Sequence, residues 1–129
     1  MKTLFLDTVG LIALWDVADQ WHSAEGALRA PAVRLVTTPH VMFECGNASA
    51  RRPYRSDVWL LWNTLSRRGN LIEPTGDEIE QAWTAYHQGP NGGPGIVDQI
   101  SFIVMRRLGI TDAFTNDRHF AAAGFNTLF

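Results

Sequence analysis

Short apolar runs alternate with helical stretches along this chain, and strands that alternate with helices pair in parallel, with helices covering both faces of the sheet. Leu4-Phe5-Leu6 reads as a short buried strand, followed by a helix over Val9 to Trp15 with Val9, Ile12 and Ala13 on one face. Residues 22–29 read as a second short helix ended by Pro31, and Val33 to Thr37 as the next strand. Thr38-Pro39 is a helix start, because the hydroxyl caps orphan backbone N–H groups and proline needs no hydrogen bond at the first position. That helix should reach about Arg51 before Pro53 stops it. An amphipathic helix over Asp57 to Arg68 closes at Gly69, and Leu71-Ile72 is a further short strand. Thr75-Gly76-Asp77-Glu78 matches a capping box opening a helix to about Tyr86, and the glycine- and proline-rich stretch 88–95 reads as a loop. Val97 to Leu108 is apolar nearly all round, hence a central buried helix, ended by Gly109. A strand over Ala113 to Thr115, a short helix over Arg118 to Ala123 and a strand over Phe125 to Leu128 complete the pattern. With 129 residues and no internal repeat, the expectation is one α/β domain over 1–129, a short central parallel sheet flanked by helices on both faces.

Asp7 and Asp117 stand directly after expected strands, and in an open parallel sheet the carboxyl ends of strands open onto one crevice where ligands bind. Asp98 sits at the entry to the buried helix. Glu44 lies in mid-helix, where the face 41, 44, 45, 48 reads Val, Glu, Cys, Ala. A charge on an apolar face needs a partner, and a cation shared with the three aspartates would supply one. Each aspartate taken alone is equally readable as a helix N-cap, and Glu44 as pairing with Arg51 or facing solvent. Caps do not explain three carboxylates directed to one sheet edge with a fourth on a buried helix face. Oxygen-only ligands select hard ions, so magnesium or manganese ranks above zinc. His40 lies one helical turn from Glu44, but no third soft ligand accompanies them, and His119 reads as a structural or surface histidine.

Bulk properties narrow the setting. A formal charge of −2 and a pI near 6 lack the basic signature of many nucleic-acid binders, so support for such a partner must come from local arrangement. The single cysteine, Cys45, cannot form an internal disulfide and suits the cytoplasm. No apolar stretch approaches the roughly 18 residues of a membrane span. Asp7 interrupts the apolar start, so no signal peptide is expected.

Leu6-Asp7-Thr8, Phe43-Glu44, Val97-Asp98-Gln99-Ile100-Ser101-Phe102, Met105-Arg106-Arg107-Leu108-Gly109-Ile110, Ala113-Phe114-Thr115-Asn116-Asp117-Arg118-His119-Phe120 and Gly124-Phe125 together resemble a PIN-domain protein. Within that family the chain is most similar to the VapC-like toxins of type II toxin–antitoxin systems, over essentially its whole length. The resemblance implies a PIN fold, a magnesium- or manganese-dependent endoribonuclease and a cognate antitoxin protein as inhibitor. It carries catalytic and metal-binding roles onto Asp7, Glu44, Asp98 and Asp117, with Thr115 as a supporting hydroxyl. One departure is local: family members often place serine three residues before the third acid, where Gly95 stands here after the stretch QGPNGG.

Further features fit this expectation or leave it open. Arg51 and Arg52 are candidates for gripping the RNA backbone, with Tyr54 stacking on a base; the alternative is a solvated helix end. Arg67-Arg68 and Arg106-Arg107 read as plain helix C-terminal charges. Trp59, Leu60, Trp62, Asn63 and Leu65 give the 57–68 helix more apolar surface than a peripheral helix needs, read either as core or as a face for a partner or a homodimer. A haloacid-dehalogenase-type phosphatase would need an aspartate where Val9 stands. A response-regulator receiver would need a late lysine, whereas the only lysine is Lys2. The remaining rival is a non-catalytic PIN-like RNA-binding or scaffold module, and such modules commonly lack acids that are all present here.

Overall fold

Leu4, Phe5 and Leu6 are each no more than 2% exposed although successive strand residues point to opposite faces, so the first strand is covered on both sides. The computed structural model describes residues 2–16 and 33–128; the expected helix over 22–29 lies outside them. In chain order the described elements are β1 (Lys2–Leu6), α1 (Thr8–Trp15), β2 (Val33–Val36), α2 (Pro39–Ala48), α3 (Arg55–Arg67), α4 (Gly76–Gln88), α5 (Ile96–Leu108), β3 (Asp112–Phe114), α6 (Arg118–Ala122) and β4 (Asn126–Thr127). The strands form one sheet in the order β2-β1-β3-β4, parallel at every pairing, as the alternation requires. The register sets Leu6 opposite Phe114, so the chain leaves β1 and β3 side by side at the same sheet edge.

Local chemistry explains most boundaries. Thr38 accepts from the Val41 N–H at 3.2 Å and Pro39 follows it, starting α2 as expected. That helix ends at Ala48 rather than near Arg51, because beyond Ser49 the chain passes into tighter turns, the Ala50 N–H reaching the Asn47 carbonyl at 3.5 Å and the Arg52 N–H that of Ser49 at 3.0 Å. The capping box of α4 is complete, and its Glu78 also accepts from Arg107 at 2.8 Å. Arg107 further donates to the Glu73 carbonyl, and Arg106 lies over the Phe102 and Phe125 rings while donating to the Ala123 carbonyl. These two arginines therefore tie α5 to its neighbours, beyond the plain helix-end charges expected. Leu71-Ile72 makes a single bridge to Thr37 instead of a strand; Pro74 has no N–H with which to extend it.

The core runs from Leu4, Phe5 and Leu6 through Val41, Met42 and Cys45 to Phe102, Met105, Phe114 and Phe120. Helix α3 contributes Val58 and Leu65 to it, with Leu61 and Trp62 half-buried, but leaves Trp59 66% and Leu60 53% exposed. The core reading of this helix therefore holds for one face, while the opposite face leaves Trp59 and Leu60 in solvent. Tyr54 is buried and stacked on Trp15 at 6.2 Å, which corrects the expectation that it meets a base.

Candidate functional site

Because β1 and β3 end in register, the residues that follow them meet: the Thr115 hydroxyl donates to Asp7 Oδ2 at 2.9 Å, across 108 residues of sequence. The same hydroxyl accepts from the Asp117 N–H at 3.0 Å. One fully buried threonine thus fixes Asp7 and the start of the Asp117 loop together. Asp7 occupies the N-cap position of α1 without capping it, being turned instead towards Thr115. Asp117 does cap α6, accepting from the His119 N–H at 2.9 Å through Oδ1, and still lines the cleft. Cap and site member are compatible for Asp117, because a carboxylate has two oxygens.

Asp98 stands in the first turn of α5, whose N-cap is Gly95, so Asp98 is not itself the cap. The Gly95 N–H donates to the Asp98 carboxylate, the reach-back that an acid at the third helical position makes. Glu44 is exposed, which corrects the expectation of a buried helix face: Val41 and Cys45 are buried, while Glu44 stands at the margin of their stripe. It accepts from the Thr8 hydroxyl at 2.6 Å, across the gap between α1 and α2.

Asp7, Glu44, Asp98 and Asp117, drawn from four separate segments, line one cleft of about 500 Å³ with Thr8, Val9, Asn47 and Ala48. Two of these side chains escaped the sequence reading. Thr8 was legible only as a hydroxyl beside Asp7. Asn47 lies three residues beyond Glu44, hence on the same helical face. Neither His40 nor His119 is in the lining, and Arg51 and Arg52 are exposed just past the end of α2, whose last turn borders the cleft.

The electrostatics follow from crowding and burial. Asp7 is 1% exposed, and its carboxyl is pushed up to about 7, first by burial and then by the charges of Asp98 and Asp117, against the opposing Thr115 hydrogen bond. Burial followed by the charges of Asp117 and Glu44 raises Asp98 to about 6. Cys45 behind them is pushed up to about 12, chiefly by burial, and so stays a neutral thiol. Among the described residues, no lysine or arginine lines the cleft. Nor do any three acidic, histidine or cysteine side chains among them close into a ready metal cage. An open cleft whose four acids offer only oxygen ligands instead suits a hard ion such as magnesium, which keeps several waters and takes only one or two carboxylates directly.

A family model for the PIN domain matches residues 4–126. Two curated relatives are named 23S rRNA-specific endonuclease VapC20, from Mycobacterium tuberculosis strains CDC 1551 / Oshkosh and ATCC 25618 / H37Rv. Each is 34% identical to this chain over 124 residues, covering 95% of both sequences. The crystal structure of Mycobacterium tuberculosis VapC20, a Sarcin-Ricin loop cleaving toxin, matches with a TM-score of 0.78 at 30% identity, covering 95% of each chain.

Proposed function

The chain belongs to the PIN-domain family, and from that premise we propose that it is a metal-dependent endoribonuclease acting as the toxin of a toxin–antitoxin pair. The observation that carries this reading is the convergence of four carboxylates on a cleft whose described lining holds no cationic side chain. Such a cleft repels a phosphodiester unless divalent cations intervene, and burial keeps Asp7 and Asp98 costly to ionise until one does. Asp7, Glu44, Asp98 and Asp117 are the residues that would hold magnesium or manganese. When bound, such an ion lowers the pKa of water and neutralises charge developing on phosphate oxygens. The protein's own part is orientation: Thr115 fixes Asp7, Thr8 fixes Glu44, and the Gly95 N–H fixes Asp98.

The relatives' names favour a structured rRNA loop as substrate. The test is an RNA hairpin carrying the sarcin–ricin loop of 23S rRNA, incubated with the protein in magnesium, in manganese and in excess EDTA. Cleavage is expected with either ion and not in EDTA; cleavage undiminished in EDTA would exclude the mechanism. Binding of the hairpin without cleavage under all three conditions would favour the scaffold module instead.

Arg51 and Arg52 lie beside the cleft end of α2, placed to hold the RNA backbone. Replacing both by alanine should flatten the salt dependence of hairpin binding, lowering the log–log slope by roughly 0.7 for each phosphate that is no longer neutralised. An unchanged slope would return both residues to the solvated surface.

The antitoxin, or a second copy of the chain, is proposed to cover the apolar surface of α2 and α3. Phe43 is 57% exposed there and stacks on Trp62 at 5.9 Å, next to the exposed Trp59. Trp59→Ala should weaken association with the co-expressed antitoxin, or self-association, by about 2 kcal/mol. Unchanged association by titration calorimetry and sedimentation would place the interface elsewhere. Among the described residues no helix is long and apolar enough to cross a membrane. An RNA-cutting toxin works in the cytoplasm, where the lone Cys45 stays reduced.

A further inference from the structure

The stretch 89–95 that precedes the third acid forms, with Tyr86 and His87, a recess of about 400 Å³ separate from the acid cleft. Its wall is built rather than slack. The Gly93 N–H donates to the Pro90 carbonyl at 3.0 Å, and Gly92 between them adopts φ +81°, the conformation that the third position of a type II turn needs. A Cβ on Gly93 would lie 2.9 Å from the Pro90 oxygen, so this wall closes only with glycine there. The lining contains no lysine, arginine or carboxylate, which disfavours a phosphate or a cation as occupant. It offers instead backbone amide groups, the Asn91 carboxamide, the His87 imidazole and the Tyr86 ring. Tyr86 is 48% exposed and is met edge-on by Trp83 at 5.5 Å and 84°, which fixes the tilt of its ring. A polar wall without lysine, arginine or carboxylate, beside an exposed, oriented ring, is an environment that takes up a nucleobase: the ring stacks and the amides read the edge.

The recess also adjoins the chemistry. Its last residue, Gly95, starts α5 and donates its N–H to the Asp98 carboxylate. A base seated in the recess would therefore belong to a nucleotide close to the phosphate held at the acids. We propose that this recess binds an unpaired base flanking the scissile bond and selects the position of the cut, with Tyr86 as the stacking residue. The proposal rests on RNA being the substrate, as read above.

Two measurements test it on the sarcin–ricin hairpin. In the first, 5-iodouridine is placed at one loop position at a time, the RNA is photocrosslinked to the protein in EDTA, and the attachment site is read by mass spectrometry. Attachment at Tyr86 from a single position is expected; attachment only elsewhere overturns the proposal. In the second, kcat/KM is compared between intact RNA and RNA made abasic at that position. Stacking of this kind is worth roughly a tenfold to hundredfold loss when removed. Wild type should lose that factor on the abasic RNA. Tyr86→Ala should lose it already on intact RNA with no further abasic penalty, and Tyr86→Phe should behave as wild type. Full activity of Tyr86→Ala with the abasic penalty retained overturns the proposal. Attachment at Tyr86 without cleavage would refute the nuclease reading and leave the base site standing, whereas cleavage with attachment elsewhere would do the reverse.

Discussion

Replacing Asp7 by asparagine is expected to abolish RNA cleavage and, in EDTA above pH 7, to make the protein more stable than its parent. In the unfolded chain this carboxyl releases its proton near its ordinary value of 3.8; folded, it holds the proton up to about 7. Between those values the folded state binds more protons than the unfolded state, so metal-free stability falls as pH rises through that window and is lowest above it. That rise corresponds to roughly 4 kcal/mol, and Asp98 adds a smaller penalty of the same sign because part of it remains in solvent. Asparagine removes the charge but still accepts from the Thr115 hydroxyl. It loses the bond from the Thr8 backbone N–H, at a cost of about 1 kcal/mol. The net gain at pH 8 is about 3 kcal/mol, or roughly 10 °C in melting temperature; it passes through zero between about pH 4 and 5, and at pH 4 the variant is slightly the less stable. Magnesium should stabilise the parent and leave the variant nearly unmoved. Cleavage should fall by at least ~100-fold, since disturbing only the partners of metal ligands already costs roughly 10–100-fold. Calorimetric scans at pH 4, 6 and 8 in EDTA decide it. A variant less stable than the parent at pH 8 would show that the Asp7 charge is well accommodated without metal.

Gly10→Ala should destabilise the protein by about 3 kcal/mol or more, although alanine is the better helix former by about 1 kcal/mol. A Cβ at Gly10 would stand 2.0 Å from the Phe114 carbonyl oxygen and 2.5 Å from its Cδ2. The first obstacle is backbone at the end of an inner strand, held in register with Leu6, which cannot turn aside as a side-chain tip does. Helix α1 must then lift from β3, which separates Asp7 and Thr8 from Thr115. Activity should fall together with stability. Gly46→Ala in α2 is the control: open space surrounds that position, so propensity alone acts and the variant should gain about 0.5–1 kcal/mol. Urea unfolding of the three proteins separates the effects. A Gly10→Ala protein as stable as the parent would mean that α1 does not approach β3 this closely.

Period and punctuation in the sequence determined the alternation of β1, α1, β2 and α2, the parallel pairing, the starts of α2 and α4, and the position of Asp7 and Asp117 just beyond strands. These depend on neighbours a few residues away: the threonine caps, Pro39 and the unbroken apolar run of β1 act locally. The family resemblance carried by the same residues also singled out the four acids and Thr115. Tertiary structure decided the rest. Helical spacing identified the stripe containing Val41 and Cys45, but only packing against α1 decided that Glu44 stands exposed at its margin and meets Thr8. Tyr54, readable as a free aromatic beside two arginines, is instead covered by Trp15 from a distant helix. The loop at 88–95 carried turn residues, yet its recess exists because Gly93 folds back onto Pro90 beside a ring from α4. Above all, the ionisation of Asp7 is set first by its burial and then by Asp98, Thr115 and Asp117, each about a hundred residues away in the chain. Burial and Coulomb energy depend on distance through space, and a strand register that brings Leu6 opposite Phe114 fixes those distances only once the sheet has formed.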